Sequence, residues 1–185
     1  MTNLYLDIET SGLSSTNDDI LIVGMLCDDN FQQFVKGRNL SFYYIDEYVM
    51  MHEPKNIVTY NGINFDMKFL EAFGCETFSN INQKDLMHLC HNNNIKGGLK
   101  ATEKILGIER KEEPLNYFQQ KAIWKRWEEK ADYNSLTRFL RYNEEDVMNL
   151  PKVEEQLDKI QAKKQATYNA FKKKFLEKHN LKEVI

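Results

Sequence analysis

The stretch Leu4-Tyr5-Leu6-Asp7-Ile8-Glu9-Thr10 indicates how the fold begins. Apolar side chains alternate with other residues over Asn3–Ile8, a period of two that is typical of a half-buried β-strand. Asp7 and Glu9 therefore leave the same face of the strand. Two carboxylates this close repel each other unless a cation lies between them, and hard divalent ions such as Mg²⁺ or Mn²⁺ are the natural neutralisers. Taken alone, the pair is explained equally well as an ordinary polar strand face.

Strands also dominate the part of the chain that follows this pair. Ile20–Leu26 is continuously apolar and predicts a buried strand, and Asp28-Asp29-Asn30 predicts a turn into Phe31–Val35. A helix over Ser41–Met51 and a short strand over Asn56–Tyr60 follow.

Helices dominate the rest of the chain. The predicted helices are Phe65–Phe73, Lys84–His91, Gly98–Leu106, Tyr117–Lys130 and Ser135–Leu150. Pro151 is expected in the first turn of a separate last helix that runs to about Lys178. Strands first and helices after, joined by a strand–helix crossover, indicate a mixed α/β domain.

Two further motifs carry acids. Asp66 closes the segment Asn61-Gly62-Ile63-Asn64-Phe65-Asp66, at the start of a predicted helix, where a carboxylate is also favoured as an ordinary cap. Tyr142 and Asp146 stand four residues apart on a helix, so they share one side, as a solvated surface pair would too.

In combination and in this order, the three motifs resemble the DEDDy subgroup of ribonuclease H-like 3′–5′ exonucleases. The resemblance covers Leu4–Leu150, and the Asn-Gly-x-Asn-Phe-Asp form is most similar to the proofreading domains of family B DNA polymerases and to small standalone relatives. It implies a ribonuclease H-like mixed sheet, with antiparallel hairpin strands plus parallel strands, flanked by helices and followed by a helical C-terminal half.

The resemblance also implies roles for five residues. Asp7 would bridge two divalent ions, Mg²⁺ or Mn²⁺. Glu9 and Asp146 would hold the ion that prepares the attacking water, and Asp66 would serve the second ion. Tyr142 would orient the water. The substrate implied is the 3′ end of single-stranded nucleic acid, with DNA slightly favoured over RNA.

Five more residues would contact that strand end or support the site. Thr10 would give a main-chain contact to the terminal nucleotide, and Leu13 would wedge against the last bases. Asn61 would support its motif or touch the strand, whereas Asn64 and Phe65 would pack or orient Asp66.

Charge is distributed unevenly along the chain. The net charge is −3, but residues 151–185 hold nine lysines against five acids (+4), and residues 1–150 hold 16 basic residues against 23 acids (−7). Because the resemblance ends at Leu150, we expect an exonuclease domain over residues 1–150 and a basic C-terminal helix over 151–185, packed on or extending from it. Basic residues near the motifs, including Lys100 and Arg110, and the last helix could hold a polyanion. A solvated lysine-rich face is the alternative.

Cysteine content and the N-terminus suggest a cytoplasmic location. Three cysteines cannot close a complete disulfide set, there is no signal-peptide pattern, and the longest apolar run is far too short to span a bilayer. A larger replication, repair or RNA-processing partner is compatible with this small chain. Two alternatives to the exonuclease stay open: a structure-selective endonuclease on the same fold, and a catalytically silent nucleic-acid-binding module.

Overall fold

Alternating and continuously apolar segments build one five-stranded sheet with helices on its faces, as described for residues 2–179 in the computed structural model. The strands are β1 (Asn3–Thr10), β2 (Ile20–Cys27), β3 (Asn30–Val35), β4 (Asn56–Thr59) and β5 (Asn82–Asp85). The helices are α1 (Phe42–His52), α2 (Asp66–Phe73), α3 (Leu86–Asn92), α4 (Leu99–Leu106), α5 (Tyr117–Lys130) and α6 (Tyr133–Lys178), with a 3₁₀ turn at Thr77–Asn80.

The sheet combines both kinds of strand pairing. Its order is β3-β2-β1-β4-β5, in which β1, β2 and β3 pair antiparallel and β1, β4 and β5 pair parallel. The predicted mixed α/β fold, with hairpin strands, parallel strands and a helical C-terminal half, is therefore confirmed.

Both faces of the sheet are covered, which gives β1 two different neighbourhoods. Leu4, Leu6 and Ile8 pack into a core that includes Ile45 of α1 and Leu70 of α2. Helices α3, α4, α5 and α6 supply most of the packing on the other face. The predicted alternation of β1 is thus confirmed, and its acid-bearing face lies under α6.

The predicted break at Pro151 is wrong, because α6 runs through this residue as one helix. A proline inside a helix removes one backbone hydrogen bond and costs about 3 kcal/mol. Val147 and Leu150 before it, and Val153 and Leu157 after it, are all buried against the body. Packing on both sides of the proline therefore holds the helix together.

The predicted helix over Lys84–His91 begins too early. Asn82–Asp85 is a strand that pairs parallel with β4, and the helix starts at Leu86. The Asp85 side chain accepts a hydrogen bond from the Met87 N–H and so caps α3. The segment lacks β-branched residues and gains its strand conformation from its place at the sheet edge.

The structure also shows the state of the cysteines and the character of the helices. All three cysteines are free and buried. Within residues 2–179, no helix has the length and apolar character that crossing a bilayer requires.

Candidate active site

Two acids of β1 and one acid of α6 meet where the helix crosses the strand. Asp7, Glu9 and Asp146 each present a carboxylate oxygen within 4.8 Å of the others. Glu9 and Asp146 are only 6% and 2% exposed, and Asp7 is half-buried. The period of two along β1 places Asp7 and Glu9 on one face of the sheet. Helix α6 crosses that face and contributes Asp146.

Asp66 joins this group from the first turn of α2. It is 5% exposed, and its Oδ1 accepts a hydrogen bond of 3.1 Å from the Ile8 N–H, between the two acids of β1. Burial, then the charge of Asp146 and then that of Asp66 raise the pKa of Asp7, so Asp66 lies near enough to act on Asp7. The structure thus brings Asp7, Glu9 and Asp146 together and places Asp66 next to them, bonded to the main chain of β1.

The turn that delivers Asp66 is held by Asp85. Asn61 has a left-handed backbone (φ 66°), and its N–H donates to Asp85 Oδ1 at 2.8 Å. A Cβ atom at Gly62 would collide with the Thr59 side chain, so glycine is required at this turn. Sequence reasoning missed Asp85, because it was assigned to a helix rather than to the end of β5.

Burial and mutual repulsion make these carboxylates hard to ionise together. Burial, followed by the charges of Asp146 and Asp66, raises the pKa of Asp7 well above its usual value. Burial and the charge of Asp7 do the same to the pKa of Glu9. Burial raises the pKa of Asp66 to about 7. The cluster therefore favours a bound cation, which would stabilise the ionised forms.

Tyr142 lies one helical turn before Asp146 and is buried beside it. Its ring stacks on Phe139, and the ammonium of Lys100 sits 4.6 Å from the ring centroid. Burial, together with the charge of Asp146, raises the pKa of the Tyr142 hydroxyl to about 12. The hydroxyl therefore keeps its proton at neutral pH.

Two cations reach Asp146 directly. Lys100 from α4 forms an ion pair with Oδ2, and Nη1 of Arg110 lies 2.7 Å from Oδ1. Burial opposes the charge on Lys100, yet the attraction of Asp146 raises the pKa of this ammonium above its usual value. The sequence suggested that these two residues contact the phosphate backbone of a nucleic-acid strand, whereas the structure places them inside the acidic cluster.

Asn143 positions Asp7 and was also missed. Its buried amide donates to the main-chain oxygen of Asp7 at 3.2 Å and to Oδ2 at 3.1 Å, and its oxygen accepts from Gln33 at 2.9 Å. A Cβ atom at Gly24, the partner of Asp7 on β2, would collide with Asn143. The helix can therefore approach the strands this closely only over a glycine. The sequence signal was Gly24 itself, the glycine inside an apolar strand.

The remaining predicted residues differ in their surroundings. The Thr10 hydroxyl donates to the Gly12 carbonyl at 2.6 Å, and Leu13 is 79% exposed in the loop after β1. Phe65 precedes α2 and packs on Phe69 with ring centroids 4.9 Å apart, whereas Asn64 is exposed. Phe65 thus packs against α2, and Leu13 is open to solvent.

The donor set fits a hard divalent cation. All four acids offer carboxylate oxygens, the ligands that Mg²⁺ and Mn²⁺ prefer. Asp146 Oδ1 is buried without a hydrogen bond of acceptable geometry, although Arg110 lies close to it. Asp7, Glu9, Asp66 and Asp146 are the residues that would hold such ions.

Comparison with known proteins agrees with this fold. A family model described as RNase_H superfamily matches residues 4–158, and the chain therefore belongs to the RNase H superfamily. Membership of this superfamily and the acidic cluster support a nuclease that uses divalent metals.

A solved structure has a similar fold. It is the family B DNA polymerase from the hyperthermophilic archaeon Pyrobaculum calidifontis, with a TM-score of 0.69 and 17% sequence identity. The match covers 85% of this chain and 24% of the polymerase chain, so our chain corresponds to about a quarter of that polymerase. No curated protein sequence matches the chain.

Proposed function

We propose that the protein is a two-metal-ion-dependent 3′–5′ exonuclease that hydrolyses single-stranded nucleic acid, with DNA slightly preferred over RNA. The observation that carries this proposal is the meeting of Asp7, Glu9 and Asp146 beside Asp66, with Tyr142 one turn from Asp146. This set combines the three motifs at one end of β1.

The reaction is hydrolysis of the last phosphodiester bond. Water attacks the phosphorus, the bond to the 3′ oxygen of the shortened strand breaks, and a nucleoside 5′-monophosphate leaves. When bound, two divalent ions held by these four acids would stabilise the attacking and leaving oxygens of this in-line displacement. Asp7 would contact both ions, since the charges of Asp146 and of Asp66 both act on its carboxylate.

Tyr142 positions the attacking water in this proposal. With a pKa of about 12 its hydroxyl remains protonated at neutral pH, so it donates a hydrogen bond and does not act as a base. Its ring is fixed between Phe139 and Lys100, which limits the directions that the hydroxyl can take.

The strand end would enter beside the loop after β1. Leu13 is exposed there and is suited to wedge against the last bases, and the main chain at Thr10 is suited to contact the terminal nucleotide. On the other side, Asn61 and Asn64 lie in the turn before Asp66 and could touch the strand, with Phe65 packed beneath.

The test is degradation of single-stranded DNA and RNA labelled at either end, with Mg²⁺, with Mn²⁺ or with EDTA. We expect metal-dependent release of mononucleotides from the 3′ end, and no release by Asp7→Ala. Internal cuts would replace this proposal with an endonuclease. Binding without cleavage under every metal condition would replace it with a silent binding module.

A further inference from the structure

The last part of α6 is almost fully exposed, and near its start Lys164 donates a hydrogen bond to Asn93 of the domain at 2.7 Å. We call residues 161–178 the arm; they extend about 27 Å at 1.5 Å per residue. Every arm residue is exposed except the half-buried Leu176. Tyr168, Phe171 and Phe175 are 60%, 67% and 47% exposed, and the two phenylalanine rings stack with centroids 6.4 Å apart. Exposed rings at this density mark a binding surface.

The three rings lie on one stripe of the helix. Their spacing of three and four residues continues the stripe that packs on the domain through Leu157 and Ile160. The helix thus presents one face first to its own core and then, beyond residue 160, to solvent.

The charge of the arm is opposite to that of the domain. The arm contains six lysines and one acid, Glu177, for a net charge of +5, whereas residues 1–160 carry 18 basic residues and 26 acids, for −8. Pairing two arms along the ring stripe would bring like charges together, which disfavours a second copy as the ligand. A polyanion is the complementary occupant.

We propose that the arm is a docking surface for single-stranded nucleic acid, in which the rings stack on bases and the neighbouring lysines contact phosphates. This inference rests on the proposed function, because the docked strand is the substrate of the same molecule. The arm would hold the strand far from the end that is being hydrolysed.

The distance between the two sites predicts a length dependence. Tyr168 lies 22 residues after Asp146 on the same helix, or about 33 Å along its axis. A stacked strand advances about 3.4 Å per nucleotide, so about ten nucleotides are needed to reach from one to the other. A tetranucleotide is too short to engage both sites.

The experiment compares a tetranucleotide with a strand of about thirty nucleotides, using the full chain. One variant replaces Lys163, Lys174 and Lys178 by Gln. A matched control replaces Lys55, Lys125 and Lys130, exposed lysines of the domain, by Gln. In the arm variant we expect the KM for the long strand to rise about five-fold or more with kcat unchanged, and the KM for the tetranucleotide to stay constant. The slope of binding against salt should fall by about two.

A second variant separates stacking from simple apolar contact. Phe171→Leu with Phe175→Leu keeps apolar area but removes both rings, and we expect long-strand affinity to fall about five-fold or more. Anisotropy of a labelled long strand in EDTA measures binding without hydrolysis, and circular dichroism verifies that α6 is retained.

Three results would overturn the inference. They are unchanged long-strand binding in the lysine variant, an equal loss in the matched control, and preference for anionic phosphatidylserine vesicles that a long strand does not displace. If wild type hydrolyses neither substrate but the arm variant still loses binding in EDTA, the proposed function fails and the docking surface stands.

Discussion

Helix α6 carries two buried acids eight residues apart, Asp146 and Glu154, whose surroundings are opposite in character. Glu154 accepts hydrogen bonds from the Tyr5 hydroxyl at 2.5 Å, the Asn3 amide at 3.1 Å and the Lys84 ammonium at 2.5 Å. One negative charge faces one positive charge and two neutral donors. The carboxylate is fully satisfied by the protein.

The acids around Asp146 carry more negative charge than the neighbouring cations balance. Asp146 shares its cluster with Asp7 and Glu9, and Asp66 lies beside them. Against these acids stand Lys100 and Arg110, and Arg110 also forms ion pairs with Glu103 and Glu145. The surplus is negative, and it is buried.

The comparison teaches which buried acid serves structure and which serves chemistry. Charge that is balanced by its neighbours fixes the register of a helix on a sheet. Charge left in surplus lowers stability unless a ligand neutralises it, and such surplus is concentrated at functional sites.

The largest expected effect is on activity, and it should distinguish the acidic cluster of Asp146 from the single acid Glu154. Asp7→Asn removes a charge from the surplus cluster, and we expect kcat to fall by roughly a thousand-fold or more, because the proposed metal bridge is lost. The measurement is nucleotide release under saturating Mg²⁺. Glu154→Gln should keep kcat but lower the free energy of unfolding by about 1–3 kcal/mol, because Lys84 loses its charged partner. Equal activity losses in the two variants would contradict the distinction.

Tyr142→Phe should have the next largest effect. The hydroxyl that positions water is removed while the ring stays packed on Phe139, so we expect kcat to fall roughly 10- to 100-fold. Metal affinity, measured by calorimetry with Mn²⁺, should stay unchanged. Loss of metal binding would show that the hydroxyl supports the metal site instead.

Lys100→Gln tests whether an ammonium competes with metal. Lys100 pairs with Asp146, so removing its charge should lower the half-saturating Mg²⁺ concentration by roughly ten-fold. Lys84→Gln is the matched control, because Lys84 pairs with Glu154 outside the cluster. A higher Mg²⁺ requirement in Lys100→Gln would show that the ammonium supports metal binding.

The smallest effect concerns the pH dependence of stability. Unfolded Asp66 ionises near its ordinary pKa of 3.8, whereas burial raises its folded pKa to about 7. Its contribution to stability is therefore present below the unfolded pKa and is lost as pH rises through the folded pKa. In EDTA, we expect Asp66→Asn to raise Tm by roughly 4 °C at about pH 8 and to leave it unchanged at about pH 4. No difference at the higher pH would mean that the Asp66 carboxylate is not destabilised.

Much of the fold was predictable because its signals are local. The alternation of β1, the apolar run of β2 and the turn before β3 each reflect the period of a strand. The β5 segment escaped prediction, because Asn82–Asp85 is a strand only through its pairing with β4. The continuity of α6 through Pro151 likewise depends on burial of both flanks, which propensity does not contain.

The candidate site was likewise predictable only in part. The resemblance carried by the three motifs predicted Asp7, Glu9, Asp66, Tyr142 and Asp146 as the site. Spacing alone predicted only that residues two apart on a strand, or four apart on a helix, share a face.

Only the tertiary structure decided what surrounds those acids. Lys100 and Arg110 reach Asp146, Asn143 reaches Asp7 over Gly24, and Asp85 holds the turn before Asp66. These contacts join side chains 24 to 136 residues apart. No local period encodes such contacts, because they depend on how closely separate elements pack.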